Sequence, residues 1–462
     1  MKFMKKMIMF TLAISMIGFL KAQDRTDQFD SLFNKLYKEN KFTGNVLIAE
    51  NGRPVFQKSY GKAFREKDLD LDSGSLFELA SVSKQFTAMA IMLLKKQQKL
   101  SYEDSLRKFF PKLPYANITI RHLLNHTSGL PDYMDLAELH WDKKKIMTNS
   151  DMIALLAEKK PKVLFTPGER WEYSNTGYVL LASIVEKASG TNFNEYVAKN
   201  IFQPLGLHRT TVFQKRFEKK ALDNYAYGYV KDSTGRFVMS DSLPATASMV
   251  YSLDGIFGDG VVNSTTGDLL KWDQALYTEK LLSKEMMQEA FTDAKLNNGK
   301  TFNYGFGWLI NNSDEFGRYY NHSGGWPGYA TWIERHPRDN KTIILLANGG
   351  QANGSIKSIR NILYGIIDKP LVEIAVDENI SKQYTGSYLI SASDTIHVFM
   401  EDGKLFANGA GQEKHQLYAE RKDLFFRKDM GYKTQFMKNK KGEVIALNIL
   451  REGPSIEAVK IR

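Results

Sequence analysis

Two β-hairpin signals set far apart in the chain constrain the fold most. Residues 45–50 are rich in β-forming side chains, Asn51-Gly52 is a strong two-residue turn signal, and residues 54–60 resume the pattern. Far downstream, residues 329–335 and 342–347 flank a turn-rich stretch that begins at Pro337. Helical spacing dominates between them, for example over residues 87–100 and 176–189, and a further helix is expected over 27–41, where Phe29, Leu32, Phe33 and Leu36 share a face. Strands at both ends with helices between predict one sheet assembled from the two ends, in an α+β unit.

The character changes from about Ile380. Six short β-like stretches (384–388, 395–400, 404–407, 423–427, 434–437 and 444–450) are punctuated by turns such as Glu401-Asp402-Gly403, which predicts a small all-β barrel or sandwich. At 462 residues the chain exceeds what one core usually organises. The expected division is a signal peptide over 1–22, a main domain over 23–372 and a β domain over 373–462, with the boundary near Lys369-Pro370.

The signal reading rests on basic Lys2, Lys5 and Lys6, an apolar run over 7–20 and small Ala22. The run is short for a membrane span, so a periplasmic or secreted protein is expected, touching the membrane only if this segment stays uncleaved. Formal net charge is +11, and +7 remains once the four lysines of residues 1–22 are set aside. No dense basic run or nucleic-acid motif accompanies it, so a solvated surface is expected and nucleic acid is not a partner. The absence of cysteine excludes disulfides and thiolate chemistry, and the eight histidines show no metal-ligand spacing, so neither metal nor cofactor is expected.

The pattern Ser-x-x-Lys occurs at Ser59/Lys62, Ser81/Lys84 and Ser105/Lys108. Only Ser81 opens an apolar stretch, residues 77–94, long enough for a buried helix. At helical spacing Lys84 reaches the Ser81 hydroxyl, and a serine needs a neighbouring base to become a nucleophile. A lysine serves as that base when burial or a nearby cation lowers its affinity for the proton. Next come Tyr173 and Asn175, after a Pro167-Gly168 turn and before a helical pattern. A phenol can pass a proton between the serine oxygen and a leaving group, and an amide can orient Lys84 or a substrate amide. A similar triplet at Tyr319 and Asn321 is a decoy. Third is His322-Ser323-Gly324-Gly325, directly before the strand at 329. Glycines there admit a substrate backbone, and the Gly325 and Ser81 N–H groups could form an oxyanion hole. Taken singly, each segment also fits a serine helix cap with an exposed lysine, a loop aromatic, or a glycine-rich turn.

In this order, Ser81-x-x-Lys84, Tyr173-x-Asn175 and His322-x-Gly324 together resemble the serine β-lactamase and penicillin-binding protein superfamily, on its class C β-lactamase-like branch with esterase, DD-peptidase and D-aminopeptidase relatives. Residues 118–130 around His126, the Gly258-Asp259-Gly260 segment with Ser264, Thr265 and Asp268, and residues 304–308 carry the same resemblance, which spans about residues 28–365. It implies a mainly antiparallel sheet flanked by helices with a helical subdomain. The β tail resembles barrel-like modules of some members. Carried over, Ser81 is the acylated nucleophile, Lys84 its base and Tyr173 the general acid/base. Asn175, His322, Gly324 and Gly325 are then substrate-binding, while His126 and the Gly258 segment support the site. His322 stands where many members have the lysine of Lys-Thr-Gly, and imidazole is largely neutral at pH 7. That points away from efficient lactam hydrolysis and toward an ester or amide, as in an esterase, D-amino-acid peptidase or DD-carboxypeptidase. The expected substrate is a small molecule or peptide, with cell-wall fragments among the candidates. The alternatives are a weakly active β-lactamase and a non-catalytic penicillin- or peptidoglycan-binding sensor.

Overall fold

Strand register begins with the first hairpin: β1 (Phe42–Glu50) and β2 (Arg53–Tyr60) turn through Asn51 and Gly52, at φ 51° and 71°. Positive φ at both positions is what a type I′ turn requires, and Asn-Gly supplies it at little cost. The computed structural model describes residues 24–350, 353–367, 372–391, 394–409, 413–428, 432–450 and 455–461. The signal segment and Lys369-Pro370 lie outside these residues. The chain divides into two compact units, one ending at Ile366 and one beginning at Ile367.

In the first unit, helix α1 covers residues 24–38, α2 is Lys84–Lys96 and α3 is Asn175–Ser189. Strands β3 (Leu309–Ser313), β4 (Gly317–Trp326), β5 (Tyr329–His336) and β6 (Lys341–Gly350) follow, then α4 (Ile356–Tyr364). The six strands form one antiparallel sheet in the order β3-β4-β5-β6-β1-β2. The expected closure of the two chain ends is the β6–β1 pairing, with Val46 opposite Leu345 and Ile48 opposite Ile343.

Successive strand side chains point to opposite faces. Val46 and Ile48 therefore join Phe29, Phe33, Ile343, Leu345 and Ile359 in a back core under α1 and α4. Leu47, Ala49, Ile344 and Leu346 enter the front core with α2 and α3. Each fully buried Leu or Ile contributes about 1.5–3 kcal/mol. Helix α2 starts three residues before its sequence expectation and stops at Lys96. Helix α3 is capped by the Ser174 side chain, which accepts from the Gly177 N–H, and ends at Gly190 with φ 75°.

The second unit is a closed antiparallel barrel of β7 (Gly386–Ser391), β8 (Asp394–Glu401), β9 (Lys404–Gly409), β10 (His415–Arg421), β11 (Leu424–Phe426), β12 (Lys433–Lys438), β13 (Val444–Leu450) and β14 (Ile456–Lys460). The sequence reading lacks β10 and β14. Only Leu417 and Ala419 of β10 enter the barrel core, and β14 contributes Ala458, so neither shows a sustained apolar run. Strand β14 pairs with β7 and β13 and thereby closes the barrel. Tyr384, expected at the start of the first strand, instead caps the helix Glu378–Gln383 and stacks on Phe436 with ring centroids 4.2 Å apart.

Candidate active site

The turn that presents Ser81 is held from both sides. The short strand Phe77–Glu78 pairs with Val262–Ser264. The Leu79 N–H then donates to Val262 O (2.8 Å), and Leu79 O accepts from Thr331 Oγ1 on β5 (2.7 Å). A Cβ at Gly324 on β4 would lie 2.2 Å from Leu79 O, so only glycine lets this strand approach. Ala80 follows at φ 47°, a left-handed conformation that costs a non-glycine residue roughly 1–2 kcal/mol. His126 (φ 57°) and Val261 (φ 61°) share it, and such strain collects where surrounding structure fixes a functional geometry. Ala80 and Val261 both line the cavity described below.

Ser81 lies in the single turn that leads into α2, and Lys84 is the first, fully buried residue of that helix. Lys84 Nζ donates to Ser81 Oγ at 3.0 Å, to Asn175 Oδ1 at 2.9 Å and to the Asp259 backbone oxygen at 2.9 Å. An ammonium has three N–H groups, so this set is complete. Every acceptor is neutral, and Lys84 forms no ion pair among the described residues. Asn175, the first residue of α3, donates from Nδ2 to Asp132 Oδ2 at 2.9 Å, which fixes the amide with its oxygen toward Lys84. Asp132 also accepts from the Met134 N–H as the N-cap of the helix Tyr133–His140. Sequence reasoning missed Asp132, although an aspartate opening a helical stretch was a legible cap signal. The decoys do other work. Lys108 pairs with Asp104 (2.8 Å) on the surface, and Lys62 pairs with Asp68 and Asp70.

Tyr173 lines the same cavity. Lys84 Nζ lies 5.0 Å from its ring centroid, and its ring packs 4.3 Å from that of His126. Its hydroxyl makes no hydrogen bond among the described residues. Behind it runs a polar chain. The Ser174 N–H donates to His126 Nδ1 (3.1 Å), which places the His126 proton on Nε2. That nitrogen lies 3.0 Å from Tyr304 Oη, which in turn lies 3.0 Å from His322 Nε2. His322 Nδ1–H donates to Ser323 O at 2.6 Å. The donor sequence His126 to Tyr304 to His322 to Ser323 O is satisfied with both imidazoles neutral. Burial, reinforced by the charge of Lys84, holds both well below the usual histidine value, His322 down to about 3.

The structure does not bring His322 and Gly324 to the cavity wall. His322 is only 3% exposed, with both ring nitrogens occupied by protein partners. Gly324 spends its missing side chain on the Leu79 contact. The sequence reading expected these two residues against substrate; in the structure both stand behind the wall. Gly325 does reach the wall, and a Cβ there would meet nothing within 4 Å. Strand β4 has β3 beside it only over residues 317–321, so the edge carrying Gly325 is not taken up by β3.

The cavity holds about 470 Å³. Ser81, Tyr173, Asn175 and Gly325 meet an apolar wall that includes Met249, Leu253, Ile256 and Trp326. Two carboxyls also lie on it, Asp259 and Glu78, and among the described residues no lysine or arginine does. Burial raises the Asp259 carboxyl above its usual range, and Tyr133 Oη donates to it at 3.2 Å.

Comparison with known proteins agrees with this geometry. The beta-lactamase family model matches residues 29–362. The chain is 40% identical over 453 residues to penicillin-binding protein 4* of Bacillus subtilis, covering 95% of this chain and all of that one. Its fold is similar to that of the octameric penicillin-binding protein homologue from Pyrococcus abyssi (TM-score 0.64, 25% identity, 94% of this chain and 99% of that one). It is similar in fold also to D-amino acid amidase from Ochrobactrum anthropi (TM-score 0.60, 22% identity, 74% and 97%). The chain belongs to the beta-lactamase family and is a serine hydrolase of the β-lactamase and penicillin-binding protein superfamily.

Proposed function

We propose that the chain hydrolyses an ester or amide through an acyl-enzyme at Ser81. The observation that carries this reading is the Lys84 Nζ to Ser81 Oγ hydrogen bond of 3.0 Å at the floor of a cavity. In this reading Lys84 and Tyr173 manage the proton. With Lys84 as the free amine, Nζ takes the serine proton as Oγ attacks the carbonyl, Tyr173, whose hydroxyl is uncommitted, gives its proton to the leaving group, and the new Lys84 ammonium reprotonates the Tyr173 oxygen. The N–H groups of Ser81 and Gly325 receive the developing oxyanion. Water then attacks the acyl carbon and the same groups return the proton to Ser81.

The wall favours substrates without a carboxylate beside the scissile bond. No lysine or arginine lines it among the described residues, and His322 supplies no cation to pair with such a carboxylate. Esters, amino-acid amides and peptides fit this better than penicillins. A second reading, acylation by penicillin with slow turnover, is favoured by the 40% identity to a protein whose name is penicillin-binding. We further propose export to the periplasm or exterior, on the signal-like residues 1–22. A screen across p-nitrophenyl esters, amino-acid amides, D-Ala-D-Ala peptides and nitrocefin tests the substrate class. Steady turnover of an ester or amide with little of nitrocefin is expected. A stoichiometric burst with no steady state on every substrate would contradict hydrolysis and favour the penicillin-binding reading.

A further inference from the structure

Glu78 stands three residues before Ser81, on the cavity wall, and is 9% exposed. Its carboxyl has no hydrogen bond or ion pair among the described residues. The charged groups around it do not compensate it, because they are already paired with one another. Arg216 holds Asp241 at 2.6 Å and Asp254 at 2.7 Å, and Lys215 lies 3.4 Å from Asp241. Two cations and two carboxylates balance, and Glu78 is left over. Lys84 cannot serve either, since its three donors are occupied by neutral acceptors. On the rest of the wall Met249, Leu253 and Ile256 are apolar, and the Trp326 indole N–H makes no hydrogen bond to Glu78 among the described residues.

A buried carboxyl without a partner costs several kcal/mol, and a fold retains one where something else supplies the partner. We infer that Glu78 receives the ammonium group of the substrate's acyl portion, so that the enzyme selects acyl donors with a free amine: amino-acid or peptide esters and amides. Consistent with an empty partner position, burial pushes the Glu78 carboxyl up to about 8, with Arg216 opposing and Asp254 reinforcing the shift. The ammonium replaces the proton that the carboxyl otherwise holds. The apolar wall then faces the side chain beside that amine, and Ser81 faces the carbonyl.

This inference rests on the acyl-enzyme reading, and the test separates the two. Phenylalanine p-nitrophenyl ester and its N-acetyl derivative, in D and L forms, are compared on the wild type and on Glu78→Gln. The expected result is a preference for the free amine on the wild type, and a fall of at least about tenfold in the ratio of free-amine to N-acetyl kcat/KM on Glu78→Gln. That is the scale of one charge-assisted hydrogen bond. Turnover of both esters with no preference, or with a ratio unmoved by the substitution, overturns the role of Glu78 and leaves the acyl-enzyme reading standing. If neither ester is turned over, the acyl-enzyme reading falls and binding decides the inference. Calorimetry of Ser81→Ala protein with phenylalanine amide against N-acetylphenylalanine amide is expected to favour the free amine at least tenfold, and equal affinities overturn it. Neither the wild-type comparison nor this titration depends on the Glu78 variant folding.

Discussion

The central sheet has buried charge on both of its faces, and the back and the cavity treat it in opposite ways. On the back, Glu334 of β5 is enclosed by Arg360 of α4 and by His336, with Arg360 Nε at 2.6 Å and His336 Nε2 at 2.8 Å. Despite complete burial, the Arg360 guanidinium holds the Glu334 carboxyl down at about 2. On the front, Arg335 of β5 is paired with Asp273 at 2.8 Å, but at the cavity Lys84 meets only neutral acceptors and Glu78 has no partner among the described residues. The same fold can plainly neutralise a buried charge when nothing has to enter beside it. The unbalanced charges lie where a cavity opens, which is what a site awaiting substrate requires.

Removing one cation from each face tests this contrast most severely. Lys84→Ala is expected to lower kcat/KM by at least about a thousandfold while the protein stays folded, because the loss falls on proton transfer. Arg360→Ala is expected to cost about 3–5 kcal/mol of stability, since it strands Glu334 as a buried charge short of its main partner. Circular dichroism melts and ester kinetics on both variants check the pair. An unfolded Lys84→Ala beside an undisturbed Arg360→Ala would reverse the comparison.

The two carboxyls also predict opposite pH slopes. Glu334 falls from an ordinary 4.5 to about 2 on folding, so its contribution is complete above pH 4.5 and is lost as pH falls toward 2. Glu78 rises from 4.5 to about 8, so the folded state holds a proton that the unfolded state has released, and stability declines as pH rises through that window. Glu78→Gln is therefore expected to melt at the wild-type temperature at pH 4 and above it at pH 8.5, by roughly 2–4 °C for each kcal/mol of relieved cost. A wild-type melting curve that rises steadily from pH 5 to 8.5, unaffected by Glu78→Gln, would show that the front carboxyl is not strained.

The smallest effect belongs to Asp132, a positioning residue that acts through Asn175. Asp132→Ala is expected to lower kcat by roughly tenfold with little change in KM, because Lys84 loses its fixed acceptor geometry. Asp132→Asn, which keeps the helix cap, should recover part of it. Equal losses in the two variants would assign Asp132 to the carboxylate charge rather than to positioning.

Local signals account for what the sequence made legible. The Asn51-Gly52 turn and the β-rich runs of β1 and β6 announced the sheet, and Ser81, Lys84, Tyr173 and Asn175 stood in segments whose neighbours were distinctive. The structure brings these four together. What escaped depends on partners distant in sequence. His322 was singled out in a glycine-rich stretch before the strand at 329, yet it lies within β4, and its place behind the wall follows from Tyr304 and the Ser323 carbonyl. Glu78 lay within the nucleophile segment itself, and its meaning comes from cations paired elsewhere. Strand β10 was hidden because so few of its side chains enter the barrel core.

Acylation at Ser81 is the claim on which the rest depends. Intact mass spectrometry after incubation with a fluorophosphonate probe, followed by peptide mapping, measures it directly. The expected result is one adduct per chain, located on Ser81 and absent from Ser81→Ala. No adduct on the wild type, or a single adduct that persists in Ser81→Ala, would contradict it.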